Sequence, residues 1–200
     1  MVHRRKEHDN RYSIQMAGEI GTGVILEGVF DSGQYGIPGD KYIVLGVSFG
    51  WGYRKGLDCF VEMAEKLGER YQIVLVGTDN EIDKNLPQSI ISIHRTQNQK
   101  ELAEIYSAAD VFAMPTREEK YPTVNMEAIA CGTPVVTFRT GGSPEMLDDK
   151  TGIVVEANNI EATEKAIKDI CEKKRCNDEE YIVAYSKNFD MKKRFAEYIE

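Results

Sequence analysis

The four cysteines, Cys59, Cys131, Cys171 and Cys176, form no C-x-x-C pair, so no structural metal site is expected. Cys59 and Cys131 fall among apolar residues at helical spacing, where a free thiol behaves as a small hydrophobe. Long apolar runs are missing too, since none approaches the ~20 residues of a membrane span. The opening MVHRRKEHDN is basic but lacks the apolar segment of a secretory signal, which points to a cytoplasmic chain. Positive charge is in deficit, with 25 Lys and Arg against 33 Asp and Glu and a net charge of -8. That balance repels phosphate backbones and anionic lipid in the mean field, although it permits a local basic site for one small anion. Nucleic acid is therefore a poor partner. No internal repeat or low-complexity tract is visible.

What is present is the ordinary balance of a globular domain: 42% hydrophobic and 29% charged over 200 residues, enough for one domain with a sizeable core. From residue 41 onward, short β-branched runs alternate with helical patterns. The runs KYIVLGVS (41–48), YQIVLVG (71–77), SIISIH (89–94), DVFAMP (110–115), TPVVTF (133–138) and GIVVE (152–156) read as strands. Continuous apolar runs of this length suit a sheet covered on both faces. Residues 56–68, 99–108 and 123–131 carry helical spacing, and after residue 158 the pattern is wholly helical, through 159–174, 178–189 and 190–200. The expected fold class is α/β, a Rossmann-like doubly wound parallel sheet of about six strands with C-terminal helices. Residues 41–200 make the folded domain. Residues 1–40, with one weakly extended stretch GVILEGVF, are too short to bury a core and read as a linker or the remnant of a preceding domain.

In open parallel sheets, ligands bind beyond the carboxyl ends of the strands. After the first strand, SFGWGYRKG (48–56) places Arg54 and Lys55 just before a helix start, a combination that favours an anion such as a diphosphate. Taken alone, such a pair before a helix is more often a solvated surface pair, and the loop lacks the G-x-G-x-x-G spacing of a dinucleotide fingerprint. That counts against a nicotinamide-dependent dehydrogenase. After the fourth strand, a helix beginning near Pro122 or Thr123 leaves the N–H groups of Thr123, Val124 and Asn125 unpaired, an anion site by construction. Helical spacing puts Val124, Glu127, Ala128 and Cys131 on one face. A carboxylate on so apolar a face needs hydrogen-bond donors, and ribose hydroxyls would serve; the other reading is that Glu127 favours the helix dipole and reaches solvent. Glu119, in the preceding loop, either meets a group attached beyond the phosphates or belongs to a charged surface loop, REEK. The turn TGGSPE (140–145) either closes over a ligand or reverses the chain.

Taken in series, Glu119, seven residues, Glu127, then AIACGTPVV and TGGSPE strongly resemble the nucleotide-sugar-binding domain of retaining glycosyltransferases with the GT-B fold, a family that includes bacterial capsule, exopolysaccharide and lipopolysaccharide transferases. RKGLDCFVEMAEKL and ELAEIYSAADVFAMPT agree with it in order and spacing, so the resemblance covers about residues 41–156. It implies that Lys55 neutralises a donor diphosphate, that Glu127 binds ribose, and that Glu119 lies near the donor sugar, Lys55 and Glu119 being the catalytic pair. It further implies phosphate contacts from Arg54, Thr123, Val124 and Asn125, and a base near His94, Arg95 and Thr96. The donor would be a UDP-sugar or GDP-sugar, with no cofactor and no metal. The acceptor, a saccharide or glycolipid, would be held by a missing N-terminal domain that reaches the inner face of the membrane. Two positions depart from the pattern: Gly50 stands where many members carry arginine, and Pro122 where the loop commonly has glycine. The resemblance makes this chain the C-terminal half of a longer transferase, inactive alone. A nucleotide-sugar epimerase of the same fold and a non-catalytic nucleotide-binding module are the alternatives.

Overall fold

The alternation of apolar runs with helical stretches builds a three-layer arrangement in the computed structural model. The model describes residues 32–189 together with two short strands, β1 (Tyr12–Ile14) and β2 (Val24–Leu26), which pair antiparallel. The rest of the first 31 residues, and the helix expected over 190–200, lie outside the described residues.

The main elements follow as β3 (Tyr42–Val47), α1 (Leu57–Lys66), β4 (Tyr71–Val76), α2 (Asn80–Asp83), β5 (Ile90–Ile93), α3 (Gln99–Ala108) and β6 (Val111–Met114). They continue as α4 (Thr123–Ala130), β7 (Val135–Phe138), β8 (Gly152–Val155), α5 (Ile160–Cys171) and α6 (Glu179–Tyr185). Six strands form one parallel sheet in the order β5-β4-β3-β6-β7-β8. The chain therefore starts in the middle, winds outward through β4 and β5, and returns to β6 beside β3. The point where the order reverses lies between β3 and β6, and their carboxyl ends flank the crevice where such sheets bind ligands.

Successive side chains along a strand face opposite layers, and both layers are apolar here. Leu45, Val47, Val74, Val76, Phe112 and Met114 pack with α3 and α4 through Ile105, Tyr106 and Ile129, and Ile182 of α6 joins them. Val44, Ile73, Leu75, Val111, Ala113 and Val136 face the other way onto Phe60 and Met63 of α1 and Ile167 and Ile170 of α5. Both faces are covered, which is why the strand sequences run apolar without alternation. Each fully covered large side chain contributes about 1.5–3 kcal/mol of transfer free energy.

The helix starts are not equivalent. Asp79, Asn98, Asn159 and Asp178 cap α2, α3, α5 and α6, each accepting a backbone N–H with its side chain. The starts of α1 at Gly56 and of α4 at Pro122 have no side-chain cap. These are the two helices that follow β3 and β6. At the α1 start the Leu57 N–H is taken by the Gly52 carbonyl at 3.2 Å, so the donors left without a side-chain cap at the crevice are chiefly those of the α4 start.

Candidate functional site

Lys55 ends a 3-10 turn, Tyr53–Lys55, that delivers the chain into α1. The turn closes through Gly56, whose φ of 75° is left-handed and whose missing Cβ would lie 2.2 Å from the carbonyl oxygen of Pro115. Glycine thereby lets the Lys55 turn press against the loop after β6. Across that contact the Lys55 Nζ stands 2.6 Å from Glu119 Oε2, with only 18% and 20% of the two side chains exposed. The two residues separated by 64 positions in sequence meet at the switch point as one ion pair.

The loop carrying Glu119 is held from three sides. Thr140 Oγ1 donates to the Thr116 carbonyl at 2.9 Å, and the Gly142 N–H donates to the Lys120 carbonyl at 2.8 Å. A Cβ at Gly141 would fall 1.6 Å from the Glu119 carbonyl oxygen. The TGGSPE turn therefore serves as the clasp of the Glu119 loop and continues only as a 3-10 turn, Ser143–Met146. The third hold is Arg117, which the sequence reading did not single out. Its guanidinium grips Asp58 of α1 through two bonds of 2.8 Å, donates to Asn158 Oδ1 at 2.6 Å and to the Tyr53 carbonyl, and lies 3.8 Å over the Tyr53 ring. Its own N–H donates to the Arg54 carbonyl at 2.9 Å. One side chain thus binds the Lys55 turn, the Glu119 loop and the segment after β8 together. An isolated arginine in TREEK carries no spacing signal that would reveal this.

At the α4 start, the first two amides, Thr123 and Val124, have no intrahelical acceptor by their position. The Asn125 N–H already bonds the Pro122 carbonyl at 3.1 Å. The Asn125 side chain is fully buried, and both its amide atoms lack a hydrogen-bond partner among the described residues. The open main-chain donors at this helix start are therefore those of Thr123 and Val124, with the buried Asn125 amide unpartnered beside them.

One turn further on, half-buried Glu127 accepts a hydrogen bond of 3.0 Å from the Tyr106 hydroxyl to Oε2. Burial raises the Glu127 carboxyl above its usual range, and the Tyr106 bond opposes that rise. The Tyr106 hydroxyl in turn is held well above the usual tyrosine value, chiefly by its own burial. Among the described residues Glu127 is thus neither a free surface carboxylate nor half of an ion pair. Tyr106 is the second residue that sequence reading missed in this role.

Arg54 is exposed, and its side chain has no partner among the described residues. Gly50 adopts a φ of 72° in open space, so position 50 contributes no second cation. His94, Arg95 and Thr96 follow β5 at the edge of the sheet, two strands from β3. His94 Nε2 lies 2.6 Å from Asp83, whose other oxygen accepts from Ser92 at 2.6 Å; these bonds, Ser92 first, hold the Asp83 carboxyl below its usual range. A separate cavity of about 170 Å³ is lined by Asp110, Gly132, Pro134 and Cys171 among others, at the amino ends of β6 and β7. It lies at the end of the sheet opposite the crevice. Among the described residues no group of three or more His, Cys, Asp or Glu side chains could hold a metal ion.

Sheet order, uncapped helix starts and the Lys55–Glu119 pair define a Rossmann-like α/β domain, the kind of open parallel sheet in which ligands bind at the switch point. The chain belongs to the family of group 1 glycosyl transferases, which matches residues 41–173. Over 79 residues it is 44% identical to a GDP-mannose-dependent alpha-(1-6)-phosphatidylinositol monomannoside mannosyltransferase of Mycolicibacterium smegmatis, a match covering 36% of this chain and 21% of the relative. A D-inositol 3-phosphate glycosyltransferase of Xylanimonas cellulosilytica is 33% identical over 117 residues, covering 52% of this chain and 28% of the relative. Among solved structures, the sucrose-phosphate synthase of Thermosynechococcus elongatus aligns with a TM-score of 0.62 at 29% identity, covering 78% of this chain and 41% of that one. A glycosyltransferase of Rickettsia africae aligns at 0.65 and 24%, with 78% and 45% covered. The matched region is thus less than half the length of each of these proteins. Among the described residues no helix is long and apolar enough to cross a membrane.

Proposed function

We propose that residues 41–200 form the C-terminal donor-binding domain of a retaining glycosyltransferase that moves a hexosyl group from a UDP-sugar or GDP-sugar to a saccharide or lipid-linked acceptor. The observation that carries this reading is the pairing of the two uncapped helix starts with Lys55 and Glu119 at one switch point. A diphosphate placed there meets the open amides of Thr123 and Val124, the N-terminal dipole of α4 and the Lys55 ammonium, with exposed Arg54 beside them. Glu127 accepts from ribose hydroxyls, and Glu119 faces the donor sugar. His94, Arg95 and Thr96 supply the base contacts from the edge of the sheet.

In transfer, negative charge grows on the departing diphosphate, and donors aimed at that charge stabilise the transition state more than the ground state. Lys55 and the α4 start supply that stabilisation without a metal. The relative from Mycolicibacterium smegmatis is named for GDP-mannose, which supports a nucleoside-diphosphate-sugar donor. The acceptor would be held by a domain outside these residues, with the complete enzyme working in the cytoplasm or at the inner face of the membrane.

A thermal-shift series with UDP, GDP, their hexose conjugates and NAD tests the proposal, because a ligand that binds only the folded state must raise Tm. A rise with a nucleoside diphosphate or its sugar, and none with NAD, is expected. A rise with NAD alone would overturn it.

A further inference from the structure

We propose that Tyr106 is a positioning residue of the nucleotide site, its buried hydroxyl holding one oxygen of Glu127 so that the other is presented, ionised, to the hydroxyls of a ribose. The inference rests on the reading of Glu127 as the ribose carboxylate. Tyr106 is 1% exposed, with its ring edge-on to Phe112 at a centroid distance of 5.5 Å. Its carbonyl accepts from Thr133 Oγ1 at 2.6 Å. Ring and main chain are thus fixed, and the hydroxyl is delivered to one place, 3.0 Å from Glu127 Oε2.

The other carboxylate oxygen, Oε1, has no hydrogen-bond partner among the described residues, yet it is not among the buried unpartnered atoms. It is therefore open to a donor from outside. A carboxylate tied on one side and open on the other is oriented before the ligand arrives, which spares the ligand the entropy of fixing it.

The charge state points the same way. Among the described residues, the titratable groups that interact with Glu127 are Tyr106 from α3 and Cys131 from its own helix, and no cation is among them. Burial first of all, together with the nearby Glu127 charge, pushes the Cys131 thiol up to about 12, so it stays neutral and lends Glu127 no charge. Desolvation favours the protonated carboxyl, and the Tyr106 hydroxyl is the group opposing it. A protonated Glu127 would offer ribose a weaker acceptor.

Tyr106→Phe removes one oxygen and leaves the ring on Phe112, so the fold should persist. The carboxyl carbon of Glu127, followed by ¹³C NMR through a pH titration of the ligand-free chain, should then titrate at higher pH than in the unmodified chain, because the bond that lowers it is gone. Calorimetry with UDP and GDP should show roughly tenfold weaker binding near pH 7 and an acidic limb moved to higher pH, in the same direction as the titration. In a Glu127→Gln background the Tyr106→Phe change should alter Kd less than about twofold. An unchanged Glu127 titration in a folded Tyr106→Phe chain overturns the proposal, as does an equal loss of affinity in both backgrounds. Should Tyr106→Phe not fold, the hydroxyl proton of Tyr106 in the unmodified chain reads the same contact: slow exchange near neutral pH that quickens as Glu127 is protonated is expected, and fast exchange throughout overturns it. If neither nucleotide binds the unmodified chain, the ribose reading of Glu127 fails, while the titration still decides whether Tyr106 holds the carboxylate.

Discussion

Lys55 is paired with Glu119, and this makes a signed prediction for Glu119→Gln. A diphosphate arriving at the α4 start must draw the Lys55 ammonium away from a carboxylate 2.6 Å distant. Both side chains are about four-fifths covered, so the pair lies between a surface ion pair of about 0.2–1 kcal/mol and a buried charged hydrogen bond of about 1.5–3 kcal/mol. A net of about 1 kcal/mol is a reasonable centre, and it acts against nucleoside diphosphate binding. Removing the carboxylate charge should therefore tighten UDP or GDP binding by roughly fivefold. Under the proposed role of Glu119 at the donor sugar, the corresponding nucleotide sugar should gain less or lose affinity. Isothermal calorimetry on the folded variant, with diphosphate and diphosphate-sugar compared at one ionic strength, reads both numbers. The unfolding midpoint should fall by only about 2–4 °C, as expected for loss of ~1 kcal/mol in a chain of this size. Weaker binding of the bare diphosphate to a folded Glu119→Gln chain would refute the competition, and would show that Glu119 orients Lys55 toward the phosphates.

Two further substitutions probe the framework. Gly141→Ala should cost on the order of 1–3 kcal/mol and weaken nucleotide-sugar binding more than bare diphosphate binding, since a φ of 50° and a Cβ 1.6 Å from the Glu119 carbonyl force that loop to move; differential scanning calorimetry and ligand titration check the two parts. Arg117→Met should lower stability by about 1–2 kcal/mol, discounted because Asp58 is 48% exposed, and weaken diphosphate binding although Arg117 is not expected to touch the ligand; a normal affinity would show that the Lys55 turn holds its place without it.

The strands were readable because the central ones are covered on both faces, so that YIVLGV, and YQIVLV apart from Gln72, carry a nearly continuous apolar signal. The start of α4 was readable as well, because proline cannot continue a helix backward and Thr123 follows directly. Helix α2 escaped because it has four residues, defined by the Asp79 cap and not by a periodic face. At the site, Lys55, Glu119, Thr123 and Glu127 stood out because each sits where a strand end or helix start gives its residue type a purpose. Arg117 and Tyr106 did not, because their partners Asp58 and Glu127 lie 59 and 21 positions away. Nothing local distinguishes an arginine that ties three loops from one that is solvated, or a core tyrosine from one that steers a carboxylate. The sequence also left open whether TGGSPE closes on a ligand or turns the chain. The contact of Gly141 with the Glu119 carbonyl is tertiary, and it makes the turn a support for the Glu119 loop.

A half-buried carboxylate with no cation beside it among the described residues is a cost to the folded chain, and Glu127 allows that cost to be read as a function of pH. Its carboxyl is raised by burial, more than the Tyr106 bond lowers it. The folded chain therefore holds this proton more tightly than the unfolded chain does. The stability associated with the protonated form is fully present below the ordinary glutamate pKa, and it is lost as pH rises through the raised folded value. Glutamine keeps the shape and an acceptor for Tyr106 but cannot ionise. Glu127→Gln should thus raise the unfolding midpoint of the ligand-free chain at pH 8, with the gain shrinking toward zero near pH 4, where Glu127 is protonated in the fold. The same change should weaken UDP or GDP binding on the order of tenfold at pH 8, because an ionised acceptor contributes about 1.5–3 kcal/mol to a ribose contact. A gain in stability with a loss of binding is the signature of a group retained for its ligand. Scanning calorimetry across that pH range, paired with calorimetric titration, measures both. A midpoint that falls at pH 8 in the variant, with nucleotide affinity unchanged, would mean that the ionised Glu127 stabilises the fold and that the ribose of a bound nucleotide lies elsewhere.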